Sequence, residues 1–307
     1  MLRITADVFS GRPNPEWIIE DEQEAQALLK DMAAAPSALA ADAPEAAGLG
    51  FRGVTVEPMS DELARDNGLA PTTYIAADSG SRDGKATEII ERIIALMGGA
   101  AAAPDEKSGL AAAATPELQQ YLREQLQTTS RVSIGDTRES GGEAAAGDAE
   151  LEAAAVCFYD SSPYNPGFWN TPTVQPRNNC YNYASNKRTD TFAQPGRGCG
   201  RMYTAITCPE MTRASLCDGL HRRYTCFPAS QAPRYLVALV VAPGPGFVDF
   251  HWYRRMREGF WGHKPGGTAA RNTDNSGLLI TNPATCNRGP YTHFCGYFYT
   301  CKSQKIK

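Results

Sequence analysis

The sequence predicts an α+β protein in two units. The first is a small acidic α/β unit over residues 1–134, and the second is a disulfide-rich α+β unit with an antiparallel sheet over 154–307. Three observations carry this. The chain has 307 residues, and at about 150 residues per domain that is room for two cores. Its charge is split: residues 1–150 hold 26 acids and 12 bases, whereas residues 151–307 hold 8 acids and 18 bases. Its chemistry is split the same way, because all nine cysteines, all four histidines and 23 of the 28 aromatic residues lie after residue 150. Between the halves, residues 135–153 are small, acidic and glycine-containing. Such a stretch buries too little apolar surface to order itself and reads as a flexible linker.

In the first unit, Leu2, Ile4, Ala6 and Val8 alternate with polar residues as a strand does. Gly11, Pro13, Asn14 and Pro15 then turn the chain. Ser10–Pro15 could touch a ligand, but a rigid turn is the simpler reading. Asp21 with Glu24 makes a helix cap, and Ala25, Leu28, Leu29 and Met32 follow at helical spacing. A second strand fits Phe51–Val56. Ile89, Ile90, Ile93, Ile94 and Met97 mark an amphipathic helix stopped by Gly98-Gly99, and Pro116 opens another whose face is Leu118, Tyr121, Leu122 and Leu126. The Ala-rich stretches 33–47 and 100–114 read as loops or weak helix. This unit carries no catalytic cluster, and its expected role is regulatory, targeting or adaptor.

The second unit holds a continuous apolar run, Tyr235–Ala242, expected as a strand buried on both faces. At eight residues it is far short of the roughly 20 that cross a membrane, so no membrane span is expected. Strands at Phe247–Met256 and Gly259–Lys264 follow, with Arg257-Glu258-Gly259 as a three-residue hairpin loop. That loop pairs Met256 with Phe260 and Tyr253 with His263, and puts Asp249, His251, Tyr253 and His263 on one face. A closing strand at Tyr291–Cys301 should carry His293, Cys295 and Cys301 on one face, with His293 structural. His221 reads as a solvated residue.

Nine cysteines leave one over after pairing. Cys180 stands apart, in Asn178-Asn179-Cys180-Tyr181-Asn182-Tyr183-Ala184. At a helix start, free N–H groups and the positive dipole end would lower its pKa and make it a nucleophile. The plainer alternative is a half-cystine or a buried thiol. The other eight are expected in disulfides, since no pair has zinc-site spacing. Disulfides point to an oxidising destination, so the protein is expected to be secreted or otherwise exported. The N-terminus has no apolar signal core before Asp7, and removal of a leader or another export route would reconcile the two.

The segment Cys180-Tyr181-Asn182-Tyr183-Ala184 resembles the C-x-x-Tyr-Ala start of the catalytic helix in CHAP amidases, relatives of the NlpC/P60 peptidases among the papain-like cysteine hydrolases. The resemblance covers residues 175–265. It implies a papain-like fold for the second unit and a bacterial, secreted protease or cell-wall amidase acting on a peptide or other amide bond. Such families carry their His at the head of the first strand after the helix. Here that place reads Arg234-Tyr235-Leu236-Val237-Ala238, so His251 or His263 must supply the imidazole. Cys180 would attack, one of the two histidines would be the base, and the other, or Asp249, would orient it. Asn179, Tyr183 and Tyr253 would contact substrate.

The competing reading is a non-catalytic, disulfide-rich protein whose Asp249, His251 and His263 face binds a metal or a partner. The enzyme reading needs no cofactor and no metal. Nucleic-acid binding is disfavoured, because the bases are scattered and match no reading motif. The opposite charges of the halves suggest instead that the acidic unit docks on the basic one within a single chain.

Overall fold

The structure, a computed structural model, describes residues 1–41, 43, 48–77, 84–97, 115–131, 157–223 and 226–307. The expected linker at 135–153 and the Ala-rich stretch 100–114 lie outside these. The protein is α+β, and it separates into two compact units that are not contiguous in sequence. Unit 1 comprises Met1–Phe9, Pro13–Thr137 and Gly244–Phe247; unit 2 comprises Ser10–Arg12, Arg138–Pro243 and Val248–Lys307.

Unit 1 contains β1 (Leu2–Asp7), β2 (Glu16–Ile19), α1 (Glu22–Ala33), β3 (Gly53–Pro58), α2 (Asp61–Asp66), β4 (Thr73–Ala76), α3 (Gly84–Met97) and α4 (Pro116–Arg131). Its sheet runs β2-β1-β3-β4 and is antiparallel throughout. Ile4 faces Val56, and Ala6 faces Val54. These side chains, with Trp17 and Ile19, are buried along with Ala25, Leu28, Leu29 and Met32 of α1. Asp21 caps α1 as expected, accepting from the N–H groups of Gln23 and Glu24. α3 buries Ala86, Ile89, Ile90, Ile93, Ile94 and Met97, an apolar stripe worth on the order of 10 kcal/mol by area. Phe247 stacks against Phe9 and Tyr121, at 5.6 and 5.2 Å, which is why residues 244–247 belong to this unit. A buried ion pair joins Arg52 to Asp7 at 2.5 Å, and Asn14 and Tyr74 also donate to the same carboxylate.

Unit 2 contains α5 (Cys180–Ser185), α6 (Cys208–Cys217), β5 (His221–Arg222), β6 (Leu236–Pro243), β7 (Val248–Arg255), β8 (Trp261–His263) and β9 (His293–Tyr299). The antiparallel sheet runs β5-β9-β6-β7-β8. β6 is its buried centre: the seven residues from Leu236 to Ala242 are all buried. α5 packs on β7. The β7–β8 hairpin has the register that a three-residue loop dictates, Tyr253 opposite His263 with the Met256 N–H donating to the Phe260 carbonyl. Gly259 takes φ +93° there, the left-handed position that such a loop requires.

Two expectations are corrected here. β9 carries a bulge, because its register against β6 shifts between Leu239 and Val240 and skips Cys295. The bulge inverts the alternation. His293 is therefore exposed, Cys295 is buried and disulfide-bonded, and Cys301 lies beyond the strand. The disulfides are Cys157–Cys226, Cys199–Cys217 and Cys208–Cys295. Cys180 is free as expected, but so are Cys286 and Cys301. Three bridges rather than four staple this unit.

Candidate functional site

Cys180 is the first residue of α5. Asn179 is the N-cap, its side-chain oxygen accepting from the Tyr181 and Asn182 N–H groups, and Asn182 returns a bond to the Asn179 N–H. This is the helix start the sequence implied. The chemistry is not. Cys180 is fully buried, and its Sγ points at the Phe250 carbonyl, 3.9 Å away. Burial, and next the charge of Asp249, push its thiol well above the ordinary value. The helix is only six residues long, and desolvation of a buried thiolate outweighs a dipole worth about 1 kcal/mol. Among the described residues no imidazole is hydrogen-bonded to Cys180.

His251 and His263 do meet, but they meet each other: His251 Nε2 and His263 Nδ1 are 2.8 Å apart, and both rings are fully buried. His263 Nε2 lies 2.9 Å from the Thr273 carbonyl, which only accepts, so this nitrogen carries the proton. The Arg271 guanidinium also lies 3.4 Å from it, and the shorter carbonyl contact decides the tautomer. Nδ1 of His263 then accepts from the N–H of His251 Nε2. Burial, reinforced by the Arg271 charge, holds the His263 pKa well below its usual value. The pair is thus a hydrogen-bonded relay that ends on a backbone carbonyl.

Asp249 orients neither ring. Its carboxylate accepts the backbone N–H groups of Ser10 (2.6 Å), Gly11 (3.2 Å) and Arg12 (2.9 Å), together with the Tyr291 hydroxyl at 2.5 Å. Burial raises its pKa, and these four donors oppose the rise. The Gly11 carbonyl is in turn held by Asn179 Nδ2 at 2.8 Å and Gln194 Nε2 at 2.9 Å. A side chain at Gly11 does not fit: its Cβ would fall 2.5 Å from the Phe250 carbonyl oxygen. The loop flagged as a possible ligand contact is therefore a rigid clasp.

The three expected substrate contacts are buried as well. Asn179 is spent on the cap and on the Gly11 and Ala193 carbonyls. Tyr183 stacks on Trp169 at 5.3 Å, with the Arg254 guanidinium 4.5 Å over its ring. Tyr253 stacks on His263 and packs edge-on to His251.

Sequence reasoning missed two further buried charges. Lys264, wholly enclosed, donates its ammonium to the carbonyls of Gln175, Asn178 and Gly266 at 2.5–2.7 Å. Asp218 accepts from the Gly196 and Cys199 N–H groups and the Tyr181 hydroxyl, and burial pushes its pKa up to about 6. A lone lysine or aspartate in a polar stretch gives no local signal of such a cage.

No group of three or more His, Cys, Asp and Glu is placed to hold a metal ion among the described residues. The metal reading of Asp249, His251 and His263 finds no support there: Asp249 is held by the Ser10–Arg12 amides and the Tyr291 hydroxyl, and the two rings bond each other. Nor is any described helix long and apolar enough to cross a membrane.

Cys180, Asp249, His251 and His263 are thus enclosed, and three disulfides staple unit 2. Over 147 residues the chain is 48% identical to Insoluble matrix shell protein 1 of Ruditapes philippinarum, a match that covers 48% of this chain and 93% of that protein. The chain belongs to the family of that matrix protein. No family model and no solved structure matches it. The relationship overturns the cysteine-hydrolase reading, with its protease, amidase and bacterial cell-wall setting, and it agrees with the buried Cys180 and the self-paired histidines.

Proposed function

We propose that the protein is a secreted, structural component of an insoluble extracellular matrix. The observation that carries this is the 48% identity extending over 93% of a protein named for an insoluble shell matrix. Two features support it. Three disulfides need an oxidising setting to form. The fully enclosed polar groups serve a fixed fold, not turnover. Its partners in this reading are other matrix components rather than a peptide or cell-wall amide. The likeness to CHAP amidases is then the short Cys180–Ala184 motif alone, without the catalytic pairing.

Fractionation of the producing tissue or culture tests the proposal. The chain should be recovered extracellularly, in the fraction that resists salt and mild detergent, with six cysteines oxidised. Recovery in a soluble intracellular fraction with reduced cysteines would overturn it.

A further inference from the structure

The charge partition bears on how such a component could assemble. Unit 2 ends in a basic strip. From Cys301 to Lys307 the chain alternates: Cys301, Gln304 and Ile306 are buried, whereas Lys302, Lys305 and Lys307 are exposed. Three backbone bonds pin this tail, from Lys302 N–H to the Gln231 carbonyl, from Lys305 N–H to the Asp218 carbonyl, and from Gln194 N–H to the Lys307 carbonyl. The Lys187 ammonium reaches the Lys302 carbonyl at 3.4 Å. Exposed Arg201 belongs to the neighbouring loop, which Arg213 braces through the Arg201 carbonyl. The nearby carboxylates are already spent, because Glu210 pairs with Arg213 and Asp218 is buried. The strip is therefore a row of like charges on a backbone that is already ordered, which lowers the entropic cost of binding an anionic surface.

Unit 1 offers the complement. Between Arg12 and Lys30 there is no base, while Glu16 at the start of β2, Glu20 and Glu22 at the start of α1 are exposed. Among the described residues none of these three carboxylates is in an ion pair. The first 150 residues exceed neutrality by 14 negative charges and the remainder by 10 positive ones.

We infer that the occupant of the Lys302–Lys307 strip is the acidic unit of a second copy of this chain, met through the Glu16–Glu22 corner. The two patches differ, so the contact is heterologous; repeated from copy to copy it builds rings where the rotation closes and open-ended assemblies where it does not. Opposite potentials steer the encounter, and salt screens it: the screening length falls from about 30 Å at 0.01 M to about 3 Å at 1 M. The inference rests on the matrix-component reading and supplies a mechanism for it.

Sedimentation of the full chain tests this over a wide concentration range at 0.01 M and 1 M NaCl. Two charge-reversed variants accompany it, Lys302→Glu/Lys305→Glu/Lys307→Glu and Glu16→Lys/Glu20→Lys/Glu22→Lys, each first shown to melt like the parent. The parent should grow in mass with concentration at low salt and revert to monomer at high salt. Each variant alone should stay monomeric, and an equimolar mixture should associate again. A parent that is monomeric at both salts overturns the inference, whether because its own acidic unit covers the strip or because the strip takes another polyanion. Association that survives high salt, or persists in both single variants, overturns it too. A monomeric chain still found in the insoluble matrix would refute this inference alone; a self-associating chain found only in the soluble intracellular fraction would refute the matrix reading alone.

Discussion

Asp249→Ala is the sharpest perturbation available. It removes the acceptor for three backbone N–H groups and the Tyr291 hydroxyl, all enclosed. A buried donor left without a partner costs about 1–3 kcal/mol. Four would total roughly 4–12 kcal/mol, and retreat of the Ser10–Arg12 loop toward water recovers part of that. A net loss of about 4–6 kcal/mol is expected, a large fraction of a typical domain's stability. Asp249→Asn keeps one oxygen but turns an amide N–H₂ toward the N–H donors, and should cost about 2–3 kcal/mol. Gly11→Ala attacks the same clasp from the other side, by overpacking against Phe250, at about 1–3 kcal/mol. Since both break one contact, the double variant should fall short of the sum by more than about 1 kcal/mol. Urea unfolding followed by tryptophan fluorescence gives the energies, and hydrogen exchange at the Ser10, Gly11 and Arg12 amides reports the clasp directly. Asp249→Ala within about 1 kcal/mol of the parent, with these amides still protected, would refute the reasoning.

Three more outcomes follow from the buried groups. The His263 pKa is depressed, so its contribution to stability is complete above pH 6.5 and declines as the pH falls below that, by up to about 1.4 kcal/mol per unit. The Asp218 pKa is raised to about 6, so its contribution is present below pH 3.8 and is lost as the pH rises toward 6. The two oppose each other between pH 4 and 6; urea midpoints for Asp218→Asn should drop more steeply with acid than the parent's, and those for His263→Gln less steeply. Closing loops of 87 and 18 residues should make Cys208→Ser/Cys295→Ser costlier than Cys199→Ser/Cys217→Ser, about 5 against about 3 kcal/mol by chain entropy, and calorimetry orders them. Iodoacetamide on the native protein should label Cys286 before Cys180 or Cys301, because Cys286 alone of the three is partly exposed. Its pKa, raised by burial to about 11, makes the labelling slow at neutral pH; peptide mapping with Cys180 labelled first would contradict the buried-thiol geometry.

Local pattern sufficed wherever an element was long or carried its own punctuation. The α3 stripe, the Asp21 cap and the β7–β8 register were all legible, the last from one glycine in a three-residue loop. β2, α2 and β4 were not. β2 is four residues directly after Pro13 and Pro15, α2 buries only Ala64, and β4 has no alternation because all four of its residues are buried. At the site, the alternation along β7 correctly grouped Asp249, His251 and Tyr253. It could not show what lies on that face. The three backbone donors that claim Asp249 come from 237 to 239 positions earlier in the chain, and no periodicity reaches so far. The same blindness produced the error at Cys180. A helix start is a local feature and argues for a thiolate, whereas enclosure is a tertiary one and argues against it with more energy.

What the enclosed groups contribute is selectivity among folds more than stability. Replacing buried polar pairs by apolar ones is often neutral or better for stability, so the His251–His263 relay and the Lys264 cage are not needed simply to hold unit 2 together. Each of them, however, has only one arrangement that satisfies it. His263 must find the Thr273 carbonyl with one nitrogen and His251 with the other; Lys264 must find three carbonyls from two separate segments. A one-residue slip of β8 against β7 would turn His263 to the opposite face and leave His251 and the Thr273 carbonyl without their partner. That slip is the characteristic fault of a strand only three residues long, as β8 is. On the proposed matrix role such a device would matter further, because misregistered strands expose edges that pair without control. On that proposal, an interior that holds its strands in one register would leave association to the charged surface, where salt can regulate it.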